Sequence, residues 1–285
     1  MDALKRIETA SNAVELRLRV RLWRNKGARV ALVPTMGALH EGHLALVGEA
    51  KRRADKVVVS IFVNPAQFAP HEDFARYPRD MGRDRAFLEG EGGADLIYAP
   101  DVKEIYPPGF ATRVNVEGPG LGLESDFRPH FFSGVATVVA KLLVQAAPDF
   151  AFFGEKDYQQ LLVVKRLVKD LDLPLEIVGV PTIREGDGLA LSSRNAYLTA
   201  DQRDVAAHLN RVLRSVTEAA KAGIAIPEAE AQGGAALLGA GFDRVDYVAI
   251  RDAETLTPVR DLAKPARVLA AARIGGVRLI DNIPL

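Results

Sequence analysis

Two imidazoles three residues apart, His40 and His43, stand where a glycine-bearing turn meets a helical pattern. They belong to the stretch Arg29 to Leu46 (RVALVPTMGALHEGHLAL). In it an apolar run at residues 30–33 is followed by Pro34, Thr35 and a turn at Gly37, then by Leu44, Leu46, Val47 and Ala50 at helical spacing. A short apolar run bounded by turn residues reads as a strand buried on both faces. Strand, turn and helix in that order present a helix N-terminus, with its free N–H groups and positive dipole end, to an anion. Two histidines at i and i+3 share one face of the helix. Phosphate or nucleotide binding is therefore one reading of this stretch. An ordinary structural turn is a second. A metal site is a third, since His40, Glu41 and His43 are ligand types, but His-Glu-Gly-His is not the HExxH spacing and no other His or Cys cluster supplies a third ligand.

Three further segments carry candidate chemistry. Asn64-Pro65-Ala66-Gln67 follows the apolar run Lys56 to Val63, so Gln67 stands at a strand's carboxyl end, the rim where α/β sheets bind ligands. Its amide offers a donor and an acceptor to a hydroxyl or carboxylate; a loop amide facing water is the alternative. Gly154-Glu155-Lys156-Asp157 follows the run Asp149 to Phe153 and opens another helix. Asp157 suits an N-cap, whereas Lys156 lies at the dipole's unfavourable end unless an anion balances it. Leu191-Ser192-Ser193-Arg194 places two hydroxyls beside a guanidinium, a set that suits phosphate oxygens but also reads as a solvated loop.

The elements that must position these residues follow from the apolar pattern. Strands are predicted at 30–33, 56–63, 95–99, 149–153 and 175–180, with helices between them, which is βαβ alternation and a parallel sheet. Residues 1–26 read as an amphipathic helix (Leu4, Ile7, Val14, Leu16, Leu18, Val20, Leu22), and Thr112 to Val116 as a short alternating strand. Residues 135–147 form a helix apolar on most sides, suited to lie against the sheet or in a subunit interface. The charged stretch His71 to Arg85 reads as a solvated face. Gly118 to Gly122 (GPGLG) follows no strong buried strand and opens no helix, which rejects a dinucleotide fingerprint. From about Thr199 two helical segments precede strand-like runs at 244–250, 267–273 and 277–280, a separate small α+β domain. The fold expected is α/β: a Rossmann-like parallel-sheet domain over residues 1–182 and a smaller α+β domain over 183–285.

Length and composition bound the rest. A chain of 285 residues fits one large α/β domain or two domains. Lys plus Arg (37) equals Asp plus Glu (37), so net charge supplies no reason to expect nucleic acid or an anionic membrane as partner. No cysteine is present, which excludes disulfides, thiolate catalysis and Cys-based metal sites. The first residues lack an apolar signal core and no run approaches 18 apolar residues, so a cytoplasmic location is expected.

Taken together, PTMGALHEGH (34–43), FVNPAQF (62–68), FFGEKDYQQ (152–160) and REGDGLALSSRN (184–195) resemble the pantoate–β-alanine ligase family, over essentially the whole chain. The shorter signature His40-Glu41-Gly42-His43 is similar to that of a wider group of nucleotidyltransferases and class I synthetases. The resemblance implies ATP-dependent joining of pantoate to β-alanine through a pantoyl adenylate, with release of AMP and pyrophosphate, Mg²⁺ as cofactor, an N-terminal domain holding ATP, a C-terminal lid and a homodimer. It implies ATP contacts at Met36, Gly37, Ala38, Leu39, His40, Glu41, Gly42, His43, Gly154, Glu155, Lys156, Asp157, Ile183, Leu191, Ser192, Ser193 and Arg194. Pantoate is expected on Gln67 and Gln160, β-alanine near Gln67, and catalytic roles at His43, His40 and Lys156. A nucleotidyltransferase of the His-x-Gly-His group, moving AMP onto a phosphate acceptor, is the rival reading. One departure stands out: the family often reads Arg-Pro-Gly-His-Phe before the long helix, and this chain reads Arg128-Pro129-His130-Phe131-Phe132, with Phe131 where His is usual.

Overall fold

The computed structural model describes residues 6–69 and 72–285, so Met1 to Lys5, Pro70 and His71 lie outside the described residues. The chain divides into two compact units, one of residues 1–155 and 163–181 and one of residues 156–162 and 182–285.

The first unit contains β1 (Glu8–Ala10), α1 (Ala13–Arg24), β2 (Val30–Thr35), α2 (Glu41–Arg53), β3 (Lys56–Ile61), α3 (Met81–Phe87), β4 (Leu96–Tyr98), α4 (Val102–Ile105), α5 (Glu124–Phe127), α6 (Phe131–Ala146), β5 (Phe150–Gly154), most of α7 (Tyr158–Asp170) and β6 (Glu176–Val180). The six strands form one parallel sheet in the order β1-β4-β3-β2-β5-β6. Chain order therefore runs outward from β2 through β3 to β4 on one side and resumes at β5 and β6 on the other. That is a doubly wound sheet with its switch point between β2 and β5, where open α/β sheets bind ligands. The runs predicted as buried strands are so: Val30, Leu32, Val33, Val58, Val59 and Phe152 are fully buried.

Pro34 marks the switch point physically. The carbonyls of Arg29 and Thr35 accept from β3 (Lys56 N, Phe62 N), and that of Val30 accepts from Asp149 N on the β5 side. By alternation the nitrogen of Pro34 points toward β5. Registered pairing of β2 with β5 covers only Ala31 and Leu32 and ends before the proline, which has no donor to give to β5.

Three expectations are corrected. The described part of the helix expected over 1–26, from Arg6 on, is not one helix: Glu8–Ala10 pairs with β4 as an edge strand, and α1 starts only at Ala13. The break is the N-cap Asn12, which accepts from Glu15 N at 3.0 Å, while Glu15 accepts from Ser11 N at 2.8 Å. On α1 only Ala13, Leu16 and Val20 are buried, and Val14, Leu18 and Leu22 face outward. Thr112 to Val116 is not a strand and belongs to neither sheet; Val114 N donates instead to Thr137 Oγ1 at 2.9 Å. The stretch 72–85 is not simply solvated, since Tyr77 and Asp84 are buried. The segment Gly118–Gly120 is a 3-10 turn, which agrees with rejecting a dinucleotide fingerprint there.

The helix predicted at 135–147 is α6, buried along most of its length. It packs on the 3-10 turn Pro65–Gln67 that follows β3. The approach is so close that a Cβ on Gly134 would lie 2.3 Å from Ala66 O and 2.9 Å from Gln67 N.

The second unit contains α8 (Ala200–Ala206), α9 (His208–Lys221), α10 (Ile226–Gly239) and an antiparallel sheet β7-β8-β9 (Arg244–Asp252, Ala266–Ile274, Val277–Pro284). The helices cover one sheet face, burying Leu213, Val216, Leu237, Val268, Ala270 and Leu279 in one core. On β7, β8 and β9 the register neighbours Arg244, Arg273 and Arg278 bring three like charges side by side, a destabilising arrangement. Asp246, at the register shift between Val245 and Tyr247, puts a fully buried carboxylate 3.0 Å from Arg244, 3.8 Å from Arg273 and 2.7 Å from Arg278.

Gly134→Ala is expected to destabilise the protein by about 1–3 kcal/mol through overpacking against the Ala66 carbonyl. Urea unfolding followed by circular dichroism checks it. An unchanged midpoint would mean that α6 does not press on this turn.

Candidate active site

The loop that leaves β2 is held by acceptors from within the unit. Gly37 N donates to Thr35 Oγ1 at 3.2 Å, and Thr35 Oγ1 donates to Ser60 O at 2.7 Å. Ala38 N and Leu39 N donate to the two oxygens of Asp84, at 3.0 and 2.8 Å. Gly37 has φ +82°, and a Cβ there would lie 2.8 Å from Asp84 Oδ2 and 3.2 Å from Ile61 Cγ2, so glycine is required twice over. Ala38 also adopts positive φ, at 51°. Asp84 is 2% exposed. Burial pushes its carboxyl pKa up, and the hydrogen bonds from Leu39 and Ala38 pull it back in part.

His40 is the N-cap of α2. Its Nδ1 accepts from Gly42 N at 3.2 Å, and His43 Nδ1 accepts from His40 N at 3.2 Å. The rings lie 4.1 Å apart, tilted by 46°. With Nδ1 accepting on both rings, the proton of each neutral imidazole sits on Nε2 and makes that atom a donor. The sequence predicts that backbone N–H groups would meet the anion. In the structure the N–H groups of residues 37–40 and 42 donate to acceptors within the unit.

Gln67 is oriented by a buried hub. Asn64 is 1% exposed. Its Nδ2 donates to Gln67 Oε1 and to Gly134 O, both at 3.1 Å, while its Oδ1 accepts from Ala66 N at 3.2 Å and from Tyr106 OH at 2.7 Å. Gln67 Nε2 donates to Met36 Sδ at 2.9 Å. Burial pushes the Tyr106 phenol up to about 12, with the Asn64 acceptor pulling the other way, so it stays a donor at neutral pH. Arg128 clamps the same turn from outside: it donates to both carboxylate oxygens of Glu72 (2.6 and 2.8 Å) and to Gln67 O (3.1 Å). Its guanidinium lies 3.8 Å from the ring centre of Phe131, so that ring serves as a stacking platform. His130 precedes α6 and is exposed, with no side-chain cap bond.

In the first unit the structure thus brings residues 36–43 and Gln67 together, and sets Gly154 and Glu155 at the end of β5, the other strand of the switch point. Lys156, Asp157, Gln160, Ile183 and Leu191 to Arg194 belong to the second unit. There Lys156 lies in the 3-10 turn Glu155–Asp157, its Nζ 3.8 Å from Asp157 Oδ2. Leu191 N donates to Ile183 O at 3.0 Å, which closes the loop between them. Ser192 Oγ accepts from Arg194 N at 3.2 Å. Arg203 fixes the loop by pairing with Asp187 at 2.7 Å and Glu185 at 2.6 Å, and this pairing holds the Asp187 carboxyl below its ordinary value. Asp84, Asn64, Tyr106 and Arg128 escaped the functional reading of the sequence, because each acts through a fold-dependent neighbour.

A sequence profile described as Pantoate-beta-alanine ligase matches residues 8–284. The chain belongs to the pantoate–β-alanine ligase family. Among curated relatives it is 55% identical over 280 residues to "Pantothenate synthetase" of Mesorhizobium japonicum, covering 98% of each chain. It is 60% identical to that of a Bradyrhizobium species, over 91% of this chain and 92% of the relative. Among solved structures, pantothenate synthetase from Thermus thermophilus superposes with a TM-score of 0.91 at 52% identity, over 97% of this chain and 99% of that one. The pantoate-beta-alanine ligase of Francisella tularensis, complexed with beta-gamma ATP and beta-alanine, does so at 0.80 and 34% identity, over 98% and 97%.

Asp84→Asn should cost about 1–3 kcal/mol, since an amide has one acceptor oxygen for two facing N–H groups. Because the folded state raises the Asp84 pKa, the native protein holds that proton more tightly than the unfolded chain. Its stability therefore falls as pH rises from the ordinary aspartate value through the raised one. Asp84→Asn should flatten that part of the pH–stability curve, measured by urea unfolding across the acid range.

Proposed function

We propose that this protein joins pantoate to β-alanine at the expense of ATP, through a pantoyl adenylate, giving pantothenate, AMP and pyrophosphate. Family membership over residues 8–284 supports it. The single observation that carries the chemical reading is the His40–His43 pair at the switch point, each ring with Nδ1 accepting from a backbone N–H, so that a neutral ring carries its proton on Nε2.

A carboxylate is a poor acyl donor because oxide would have to leave. Attack of a pantoate oxygen on the α-phosphorus expels pyrophosphate and converts that oxygen into part of an AMP leaving group. Charge builds on the phosphate oxygens in that step, and preset donors stabilise it. We assign that work to His43 and His40, with Met36 to Gly42 and Gly154 to Asp157 along the nucleotide, and to Lys156, Ile183, Leu191, Ser192, Ser193 and Arg194 from the second unit. Gln67 and Gln160 are assigned to pantoate, and Gln67 also to β-alanine. The amine then attacks the acyl carbon, AMP leaves with the acyl C–O bond pair, and the nitrogen loses a proton to give the amide. Holding both reactants in place contributes on the order of 7–11 kcal/mol.

Residues 1–182 are proposed to hold ATP and pantoate, and residues 183–285 to act as a lid that keeps water from the adenylate. Mg²⁺ is proposed to enter on the triphosphate. Among the described residues no group of three or more His, Asp or Glu is placed to hold a metal, and Mg²⁺ in such sites is bound largely by phosphate oxygens and water. A homodimer is proposed. No helix among the described residues is long and apolar enough to cross a membrane. The proposed compartment is the cytoplasm, and the proposed partners are small molecules rather than nucleic acid.

Purified protein with ATP, Mg²⁺ and pantoate is expected to turn over only when β-alanine is added, with AMP and pantothenate formed one for one. Sustained AMP or pyrophosphate release without β-alanine would favour nucleotidyl transfer. His43→Ala is expected to lower kcat by about 10²–10³-fold, the usual loss for one preset donor; near-normal turnover would remove His43 from the mechanism.

A further inference from the structure

The open face of the β7-β8-β9 sheet, opposite the helices, carries two polar residues that are almost out of reach of solvent. Arg267 on β8 is 8% exposed and Asn282 on β9 is 3% exposed. Leu269 and Asn282 are register partners, so Arg267 is the diagonal neighbour of Asn282 on the same face. Arg267 Nε donates to Asn282 Oδ1, and its guanidinium stacks 3.7 Å over the ring of Tyr158. Tyr158 OH donates to Ala253 O at 2.8 Å. Asn282 Nδ2 donates to the backbone oxygen of Lys156 at 2.9 Å. The adjacent residue, Asp281, points to the other face, where it accepts a fork from Arg184 (2.7 and 2.8 Å) and a bond from Asn210 Nδ2 at 3.3 Å. Strand β9 is thus locked from both sides at the residue that holds Lys156.

We infer that Asn282 is a positioning residue for Lys156, fixing the backbone from which the ammonium reaches the triphosphate. The inference rests on the role proposed above for Lys156. A lysine is a point charge on a flexible four-carbon stem, so the location of its Cα decides where the charge can go. The turn Glu155–Asp157 is three residues long and lies between a strand and a helix assigned largely to the other unit. Asn282 supplies a donor from a sheet whose own register is fixed over eight residue pairs. Arg267 orients the Asn282 amide by occupying its oxygen, which directs the NH₂ at the Lys156 carbonyl. Tyr158, two residues beyond Lys156, is held by the same guanidinium, so one buried arginine sets both the donor and the turn it grips.

Asn282→Asp separates this role from simple packing. The carboxylate keeps an acceptor for Arg267 and the same shape, but offers no donor to Lys156 O. It is expected to lower kcat/KM for ATP by about 10- to 100-fold, the scale of a misplacement of roughly 1 Å, while KM for pantoate stays close to the parent's. In a Lys156→Ala background the same change is expected to add less than about twofold, because coupled residues are not additive. Asn282→Ser, which is too short to reach the carbonyl, is the second variant and should behave alike. If Lys156→Ala lowers activity and neither Asn282 variant changes kcat/KM for ATP, the inference fails and the reading of Lys156 stands. Equal losses in the parent and Lys156→Ala backgrounds would make Asn282 merely structural and also overturn it. If Lys156→Ala itself is harmless, both the reading of Lys156 and this inference fall.

Discussion

The turn after β2 depends on one buried carboxylate. A chain leaving a central strand at a switch point carries its N–H groups through a buried and partly buried turn, and each donor orphaned out of water's reach costs about 1–3 kcal/mol. Asp84 accepts two of them, Thr35 a third, and the imidazoles of His40 and His43 two more. Because the rings satisfy the backbone through Nδ1, a neutral ring there carries its proton on Nε2. The strain of two consecutive left-handed residues, Gly37 and Ala38, is sustained by the same contacts.

Much of this was legible in the sequence, for a definable reason. Strands buried on both faces read as unbroken apolar runs, and the residues at their carboxyl ends are fixed by parallel topology alone. Once 30–33, 56–63 and 149–153 are strands of one sheet, residues 34–43, 64–67 and 154–155 share a rim. What stayed hidden depends on pairs remote in sequence. Asp84 sits in a run of charges that reads as solvent-facing, and only the fold sets it under Ala38 and Leu39, more than forty residues away. Strand β1, three residues long, is too short to show a period. The substitution of Phe131 was visible, but its use as a surface for Arg128 was not.

The second unit uses polar residues differently. In the first, hydrogen bonds aim groups at a rim; in the second, charges fix strand register. Three arginines in a row across β7, β8 and β9 would repel, and the bulge at Asp246 inserts the compensating carboxylate where regular pairing has no room for it. Asp281 and Asn282 exploit the pleat: neighbours in sequence, they serve opposite faces, one tying α9 and Arg184 and the other the segment around Lys156.

That the segment 156–162 is assigned with residues 182–285 has a consequence for how the gene can be divided. The polypeptide passes between the units three times, at 155/156, 162/163 and 181/182. A fragment ended at Pro181 would keep Lys156 and Tyr158 yet lack Asn282, Arg267 and Ala253, their supports. The C-terminal region is therefore not a detachable cassette. Hybrids made by exchanging it between relatives would have to carry the 156–162 insert along with it, or inherit a lysine whose mooring comes from a foreign strand.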